Sequence, residues 1–188
     1  MEKSFSRKEL LSLSKRHRYP AASIEKTLRL LYLLDEIMQH DFLRDNIVLK
    51  GGTAINLAVF ENLPRLSVDL DFDLARNTRK EEMLVIRELA RRKIEEIASS
   101  QGYSLSPSRP SYALLQIRLT YKNSTGNNDV IKLDINCLSR CHIFEPTAAL
   151  IKNPFENNHA IGANILNEYE LFAGKIKALL ETYTERCF

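Results

Sequence analysis

One short segment constrains the fold of this chain more than any other. Apolar residues alternate there with aspartates, in the order Val68, Asp69, Leu70, Asp71, Phe72, Asp73 and Leu74. A period of two is that of a β-strand, whose successive side chains leave opposite faces. The three carboxylates therefore leave one face, while the apolar residues leave the other and pack on a core. The chain must fold around a sheet that has a polar face.

Helical periodicity marks three longer segments. Apolar residues recur at helical spacing after Pro20, again after Thr78 and again after Asn167. Thr78 with Glu81 has the spacing of a capping box, and so has Asn167 with Glu170. The last segment predicts a helix with an apolar stripe, formed by Phe172, Ile176, Leu179 and Tyr183.

Strand signals fill the space between the helices. A short apolar run, Ile47–Lys50, ends at a glycine pair, and a helix at Ala54–Phe60 follows it. The runs Tyr112–Tyr121 and Asp129–Leu138 flank a polar loop, which predicts a hairpin. The segment after the hairpin contains two prolines and predicts a loop.

These elements predict an α+β fold. We expect a small mixed or antiparallel sheet of about four or five strands, with flanking helices and a helical C-terminal part. Two divisions of the chain are predicted: a core at residues 1–145 and the start of a helical region at residues 146–188.

Composition excludes several classes of protein. The chain has 188 residues, 44% of them hydrophobic, which suits the core of one domain and excludes a disordered or fibrous chain. A net charge of +3 excludes a nucleic-acid binder that acts through charge alone. We find no disulfide pattern, signal peptide or membrane-length apolar stretch. A cytoplasmic protein with no membrane partner is expected.

Paired aspartates on a strand are a recurrent way to hold a divalent metal. Asp69 and Asp71 leave one face of their strand, and Asp134 leaves the polar face of the second hairpin arm. Mg²⁺ prefers oxygen ligands and shares them with substrate phosphates, so converging carboxylates predict a site for one or two such ions. They converge only if the two strands are neighbours. An exposed polar face of an antiparallel sheet would show the same alternation.

A glycine turn, a cation and a hydroxyl precede the aspartates. These residues are, in chain order, Lys50, Gly51, Gly52, Thr53, Arg65 and Ser67. Glycines after a strand let backbone N–H groups approach a phosphate, and guanidinium and hydroxyl groups bind phosphate oxygens. Together they predict nucleotide binding beside the carboxylates.

The two motifs resemble those of the AbiEii-type nucleotidyltransferase toxins of type IV toxin-antitoxin and phage-defence systems. The resemblance is carried by Lys50-Gly51-Gly52-Thr53 and by Arg65-Leu66-Ser67-Val68-Asp69-Leu70-Asp71-Phe72. That family belongs to the polymerase-beta-like nucleotidyltransferase superfamily. The resemblance implies a nucleotidyltransferase fold, a glycine loop on the nucleotide phosphates and metal ligands at Asp69, Asp71 and Asp134.

A second region extends the resemblance toward the C-terminus. The segment Glu170–Leu179 is similar to the family's Leu-Ala-x-Lys-Leu-x-Ala-Leu helix, which makes Lys175 the functional lysine. A solvated helix lysine is the alternative. In the family an Arg-Asp-x-Tyr-Asp segment usually follows, and it is absent here. Two expectations stay open: a shortened member, or a smaller subgroup whose site functions without that segment.

The resemblance implies a reaction and its partners. The expected enzyme transfers a nucleoside monophosphate from an NTP to an RNA or tRNA 3′ end or a protein hydroxyl, with Mg²⁺ or Mn²⁺. The implied setting is abortive infection, with a cognate antitoxin protein. Three alternatives stay open: an enzyme that modifies a small molecule such as an antibiotic, a catalytically silent nucleotide-binding member, and a structural domain in which the motifs are coincidental.

Overall fold

A computed structural model gives the fold of residues 5–60, 65–107, 111–156 and 159–185. The helices are Arg7–His17 (α1), Ala21–Gln39 (α2), Asp41–Asn46 (α3), Gly51–Ala54 (α4), Lys80–Ser100 (α5) and Glu168–Glu185 (α6), with a π-helix at Ile55–Val59 that continues α4. The strands are Ile47–Lys50 (β1), Asp69–Leu74 (β2), Ser104–Ser106 (β3), Leu114–Lys122 (β4), Asn128–Asn136 (β5), Thr147–Lys152 (β6) and Ala160–Ile165 (β7).

The described strands form one mixed sheet of seven in the order β3-β4-β5-β2-β1-β7-β6. β2 runs antiparallel to β1 and parallel to β5, so the strand with the alternating aspartates lies in the middle of the sheet. The predicted hairpin is β4–β5, and β6–β7 is a second hairpin. The predicted α+β fold with a mixed sheet and flanking helices is confirmed, with more strands than expected.

The core lies where α2 and α5 pack on the apolar side of the sheet. β2 contributes Leu70 and Phe72, which are fully buried, while the alternate residues are the aspartates. The stripe predicted for α2 is buried throughout, from Ile24 to Met38. Each such side chain contributes roughly 1.5–3 kcal/mol on burial. The period-two pattern of β2 therefore fixes which face of the sheet is left for polar residues.

The segment after the first hairpin differs from the prediction. β6 and β7 replace the expected loop, and β7 pairs in parallel with β1 through Leu49 and Ile165. Pro146 directly precedes β6 and Pro154 lies in the turn before β7, so both prolines flank strands, where proline is tolerated. The division at residue 146 stays a prediction, and the sheet continues across it.

The two predicted capping boxes have different outcomes. The box at Thr78 is wrong, because α5 begins at Lys80 without a side-chain cap, and the Thr78 carbonyl accepts a hydrogen bond from Arg140 Nε at 2.9 Å. Asn167 does cap α6, since its Oδ1 accepts from Tyr169 N at 3.0 Å. Glu170 does not close that box, and instead accepts from Ile143 N at 2.8 Å.

The apolar stripe predicted on α6 is largely uncovered by the described residues. Phe172, Ile176 and Leu179 are exposed, Leu179 to 67%, and the side chain of Tyr183 lies outside the description. α6 contacts α4 and the π-helix through its first turns, where Leu171 is buried and Phe172 packs edge-on against Phe60. The periodicity identifies which face of the helix is apolar, but it does not show whether other residues pack on that face. No helix in the described ranges is long and apolar enough to cross a membrane.

Candidate active site

The carboxylates of the polar face meet at the centre of the sheet. Asp71 of β2 is the register partner of Asp134 on β5 and of Lys50 on β1. Asp69 is two residues upstream and leaves the same face. β2 and β5, which had to be neighbours for the carboxylates to converge, are neighbours. The alternation of β2 and the hairpin arm β5 therefore bring Asp71 and Asp134 side by side, with Asp69 on the same face.

The electrostatic environment of Asp71 reports which groups surround it. Burial raises the pKa of Asp71, and the nearby carboxylates of Asp134 and Asp69 raise that pKa further. The ammonium groups of Lys50 and Lys175 oppose the shift, since each favours the ionised carboxylate. Lys175 therefore lies close enough to Asp71 to act on it, although it comes from α6 at the far end of the chain.

Lys50 is held by a carboxylate to which sequence reasoning gave no role. Its Nζ lies 2.5 Å from Asp73 Oδ1, and Asp73 is only 4% exposed. Burial raises the pKa of Asp73, and the ion pair with Lys50 opposes that shift. The pair fixes the Lys50 ammonium beside Asp71. The alternation already put Asp73 on this face, and its spacing from Asp71 was the available signal.

The glycine turn fits closely against Asp71. Gly51 has a φ of +72°, in the left-handed region that favours glycine. A Cβ at this position would lie 2.9 Å from Asp71 Cγ, closer than real Cβ atoms approach. Any other residue would strain the turn and displace the carboxylate. Gly51 is therefore required by the packing of the site as well as by the turn.

Thr53 ties the glycine turn to the aspartate strand. Its buried Oγ1 lies 2.7 Å from the Asp69 carbonyl oxygen and 2.9 Å from Ser67 Oγ, and bonds both. From α2, Thr27 Oγ1 donates to the Ser67 carbonyl at 3.3 Å. These bonds set the position at which β2 begins. They give Thr53 a structural task, and its predicted contact with phosphate stays a prediction.

Arg65 and Ser67 stand on the other side of the turn, over Gly52. A Cβ on Gly52 would lie 3.2 Å from Ser67 Oγ and 3.3 Å from Arg65 Nη2. None of the described carboxylates forms an ion pair with Arg65. The structure thus groups the two predicted phosphate-binding side chains with the glycines, next to the carboxylates.

The family is identified by a comparison of sequences. The family model described as "Nucleotidyl transferase AbiEii toxin, Type IV TA system" matches residues 32–187. The chain belongs to the AbiEii nucleotidyltransferase toxin family. The match includes the glycine turn, the aspartate strand, Asp134 and Lys175, so the resemblance drawn from the motifs is confirmed. No protein with a curated description matches the chain.

Two solved structures are similar to this AbiEii-family chain. MenT4, a nucleotidyltransferase toxin from Mycobacterium tuberculosis H37Rv, superposes with a TM-score of 0.63 at 18% identity, over 89% of this chain and 57% of MenT4. A candidate nucleotidyltransferase from H. pylori matches at 18% identity over 91% of this chain and 59% of that one. Its TM-score of 0.43 is too low to support an argument. The chain thus spans less than two thirds of either protein, and the first match shows the shared fold.

The residues of this AbiEii-family site fit a divalent cation. Within the described ranges, no group of three Asp, Glu, His or Cys side chains is placed so that it could hold a metal ion. Mg²⁺ does not need three protein ligands, because it binds through one or two carboxylates and completes its octahedron with water and substrate phosphates. Asp71 and Asp134 supply hard oxygen donors as register partners on adjacent strands. Their mutual repulsion is the condition that a bound cation relieves.

Sequence reasoning missed one further neighbour of the carboxylates. Gln116 of β4 is the register partner of Asp134, and its Nε2 donates to Asp134 Oδ1 at 3.1 Å. The bond orients the carboxylate and uses one of its two oxygens. The signal was present, since the β4–β5 hairpin loop pairs Lys122 with Asn128 and, counting back from it, Gln116 with Asp134.

Proposed function

We propose that the chain transfers a nucleoside monophosphate from an NTP to an acceptor hydroxyl and releases pyrophosphate. The observation that carries the proposal is the register pairing of Asp71 with Asp134, beside Asp69 and within electrostatic reach of Lys175. Carboxylates and a lysine gathered next to a glycine turn can hold a metal-bound triphosphate. Membership of a nucleotidyltransferase toxin family supports the same reaction.

Asp69, Asp71 and Asp134 would hold Mg²⁺ or Mn²⁺. The bound ions would neutralise charge on the triphosphate and favour ionisation of the attacking hydroxyl. The protein itself positions the carboxylates. Gln116 fixes the orientation of Asp134, and the Lys50 ammonium, held by Asp73, opposes the rise in the pKa of Asp71.

The phosphates would bind on the side of the glycine turn. Arg65, Ser67 and the Gly51-Gly52 backbone line that side, and Lys175 faces it from α6. The Arg65 guanidinium forms no ion pair with a described carboxylate, so its positive charge is well suited to bind the leaving pyrophosphate. These residues would act by positioning and by charge neutralisation, which supply most of the catalysis in phosphoryl-group chemistry.

The acceptor and the biological setting complete the proposal. We propose an RNA acceptor, with a tRNA 3′ end as the first candidate and a protein hydroxyl as the second. MenT4 is described as a toxin, and the family description names a type IV toxin-antitoxin system. By this likeness the chain would act in the cytoplasm as the toxin of such a pair, in abortive infection, and would have a cognate antitoxin.

The test is incubation of the purified protein with Mg²⁺, each labelled NTP in turn and total cellular RNA. Asp69→Asn is the parallel control, and aminoglycosides replace RNA in a second series. Label that enters RNA only with wild type supports the proposal and identifies the NTP. Label that enters only aminoglycosides would move the activity to small molecules. Equal labelling by wild type and Asp69→Asn would contradict the assignment of the site.

A further inference from the structure

One buried amide near the glycine turn has no partner. Asn56 lies in the π-helix, one turn after Gly52, and is 5% exposed. Its Nδ2 is buried and donates to no atom of the described residues. Buried polar groups are nearly always hydrogen-bonded, because leaving one unpaired costs free energy.

A comparison with Asn153, the other buried asparagine in the part of the chain that the structure describes, sharpens this point. Asn153 is 4% exposed and uses both ends of its amide. Its Oδ1 accepts from Phe155 N at 3.0 Å, and its Nδ2 donates to Glu156 Oε2 at 3.2 Å. The chain therefore satisfies a buried amide where that amide serves the fold. Of these two asparagines, Asn56 is the one whose Nδ2 has no hydrogen bond to a described residue.

The unpaired amide borders the space over Gly52. A Cβ on Gly52 would lie 3.9 Å from Asn56 Nδ2, and the two closer atoms to that point belong to Ser67 and Arg65. The amide and the guanidinium can each donate a hydrogen bond to a ligand. Ser67 does not add a third donor, because the single Thr53 proton goes to the Asp69 carbonyl at 2.7 Å and the 2.9 Å bond between Thr53 Oγ1 and Ser67 Oγ therefore uses the serine proton. An amide and a guanidinium on the same side of Gly52 can bind an anionic oxygen together.

We propose that Asn56 is a phosphate-binding residue of this enzyme, whose Nδ2 donates to a phosphoryl oxygen bound between Asn56 and Arg65. The ligand class is the pyrophosphate portion of a nucleoside triphosphate. The inference rests on the proposed function and adds a residue to its site. It gives the unpaired amide a partner, since a phosphoryl oxygen would accept the hydrogen bond that the protein leaves unmade.

If Asn56 binds phosphate, replacing it should weaken ligand binding without lowering stability, whereas replacing a purely structural residue should lower stability. Asn56→Leu removes a buried unpaired donor, so the free energy of unfolding should stay the same or rise. The same change should weaken binding of pyrophosphate, measured calorimetrically with Mg²⁺ present, by about tenfold or more. Asn56→Asp keeps the shape but adds a negative charge, so it should weaken binding more than Asn56→Leu does. The matched control Asn153→Leu should lower stability and leave pyrophosphate affinity unchanged.

Three results would overturn the inference. They are wild-type affinity in both Asn56 variants, a loss of stability in Asn56→Leu as large as that in Asn153→Leu, or no pyrophosphate binding by wild type. The proposed function fails separately. A wild type that binds pyrophosphate through Asn56 but labels no acceptor would leave this inference standing, while a wild type that labels RNA and is indifferent to Asn56 would remove only the inference.

Discussion

Two buried polar clusters in this molecule are built in opposite ways. The first, which we call the hairpin anchor, joins α2 to the loop of the β4–β5 hairpin through Glu25, Arg29 and Ser124. Glu25 and Arg29 form a buried ion pair at 3.2 Å, and both Glu25 oxygens accept from Ser124 N, at 3.1 and 2.9 Å. Arg29 also donates to the Lys122 carbonyl at 3.4 Å and stacks on the Tyr121 ring.

The second cluster is the candidate active site, where polar groups are left incompletely paired. Asp71 is surrounded by like charges that raise its pKa, and Asn56 has an unbonded amide. In the hairpin anchor every charge has a partner that the fold supplies. The difference teaches that the fold supplies partners for the charges of the hairpin anchor, whereas at the glycine turn two neighbouring groups, Asp71 and Asn56, are left for a ligand to satisfy.

The largest effect should follow from removing a site carboxylate. Asp134→Asn should lower kcat/KM for nucleotide transfer roughly 10³-fold or more, since several kcal/mol of charge stabilisation are lost. Asp129→Asn on the same strand is the matched control, because Asp129 pairs with Lys26 and Tyr121 away from the site. Steady-state transfer assays measure kcat/KM for both variants. Near-equal rates would erase the distinction between the two clusters.

The next largest effect should come from the hairpin anchor and should appear in stability. Glu25→Gln leaves the buried Arg29 charge without its partner and should cost about 3 kcal/mol of unfolding free energy. Urea unfolding measures this loss. Transfer per folded molecule should be unchanged at low temperature. A variant with normal stability and impaired transfer would place Glu25 with the functional groups instead.

A smaller effect should separate two lysines of α6. Lys175→Ala should raise the KM for NTP by roughly 10- to 100-fold, because a charged hydrogen bond to phosphate is lost. Lys177 is two residues further along the same helix and lies 3.8 Å from Glu181, so Lys177→Ala is the control. Both lysines are exposed, and neither change should alter the thermal midpoint. Equal KM values for the two variants would contradict the role of Lys175.

The smallest effect should be a gain in stability at the site. The pKa of Asp71 is raised in the folded state, so folding favours its protonated form and stability falls as pH rises through that pKa. Without metal, Asp71→Asn should therefore be more stable than wild type at neutral pH, because the buried charge and its repulsion from Asp134 and Asp69 are removed. The difference should vanish at acidic pH, where Asp71 is protonated in both states. Thermal unfolding across this pH range is the measurement, and a variant less stable at neutral pH would refute it.

Much of the site was predictable because its signals are local. The alternation in β2 assigns Asp69 and Asp71 to one face, and the hairpin arm assigns Asp134 to another polar face. Side-chain direction in a strand depends only on the period of the backbone, so a few residues suffice to read it. The same reasoning found the glycine turn, where the φ of Gly51 is set by its nearest neighbours.

The failed predictions concern what each segment packs against. β7 alternates buried and exposed residues, yet its strand character was outweighed by the flanking prolines. The apolar stripe of α6 is real, but no described residue covers Ile176 or Leu179. A helical period tells which face is apolar, while the presence of a partner for that face depends on distant parts of the chain.

The sequence by itself determined the faces of the strands, the glycine turn and the family. Only the tertiary structure decided that β2 lies between β1 and β5, that Asp73 holds Lys50, that Gln116 orients Asp134 and that Asn56 is buried without a partner. The physical reason is how far along the chain the residues that decide each property lie from one another. A side chain's direction follows from its own backbone, whereas strand order, register and burial result from the packing of residues far apart in the chain, all of which must be satisfied at once.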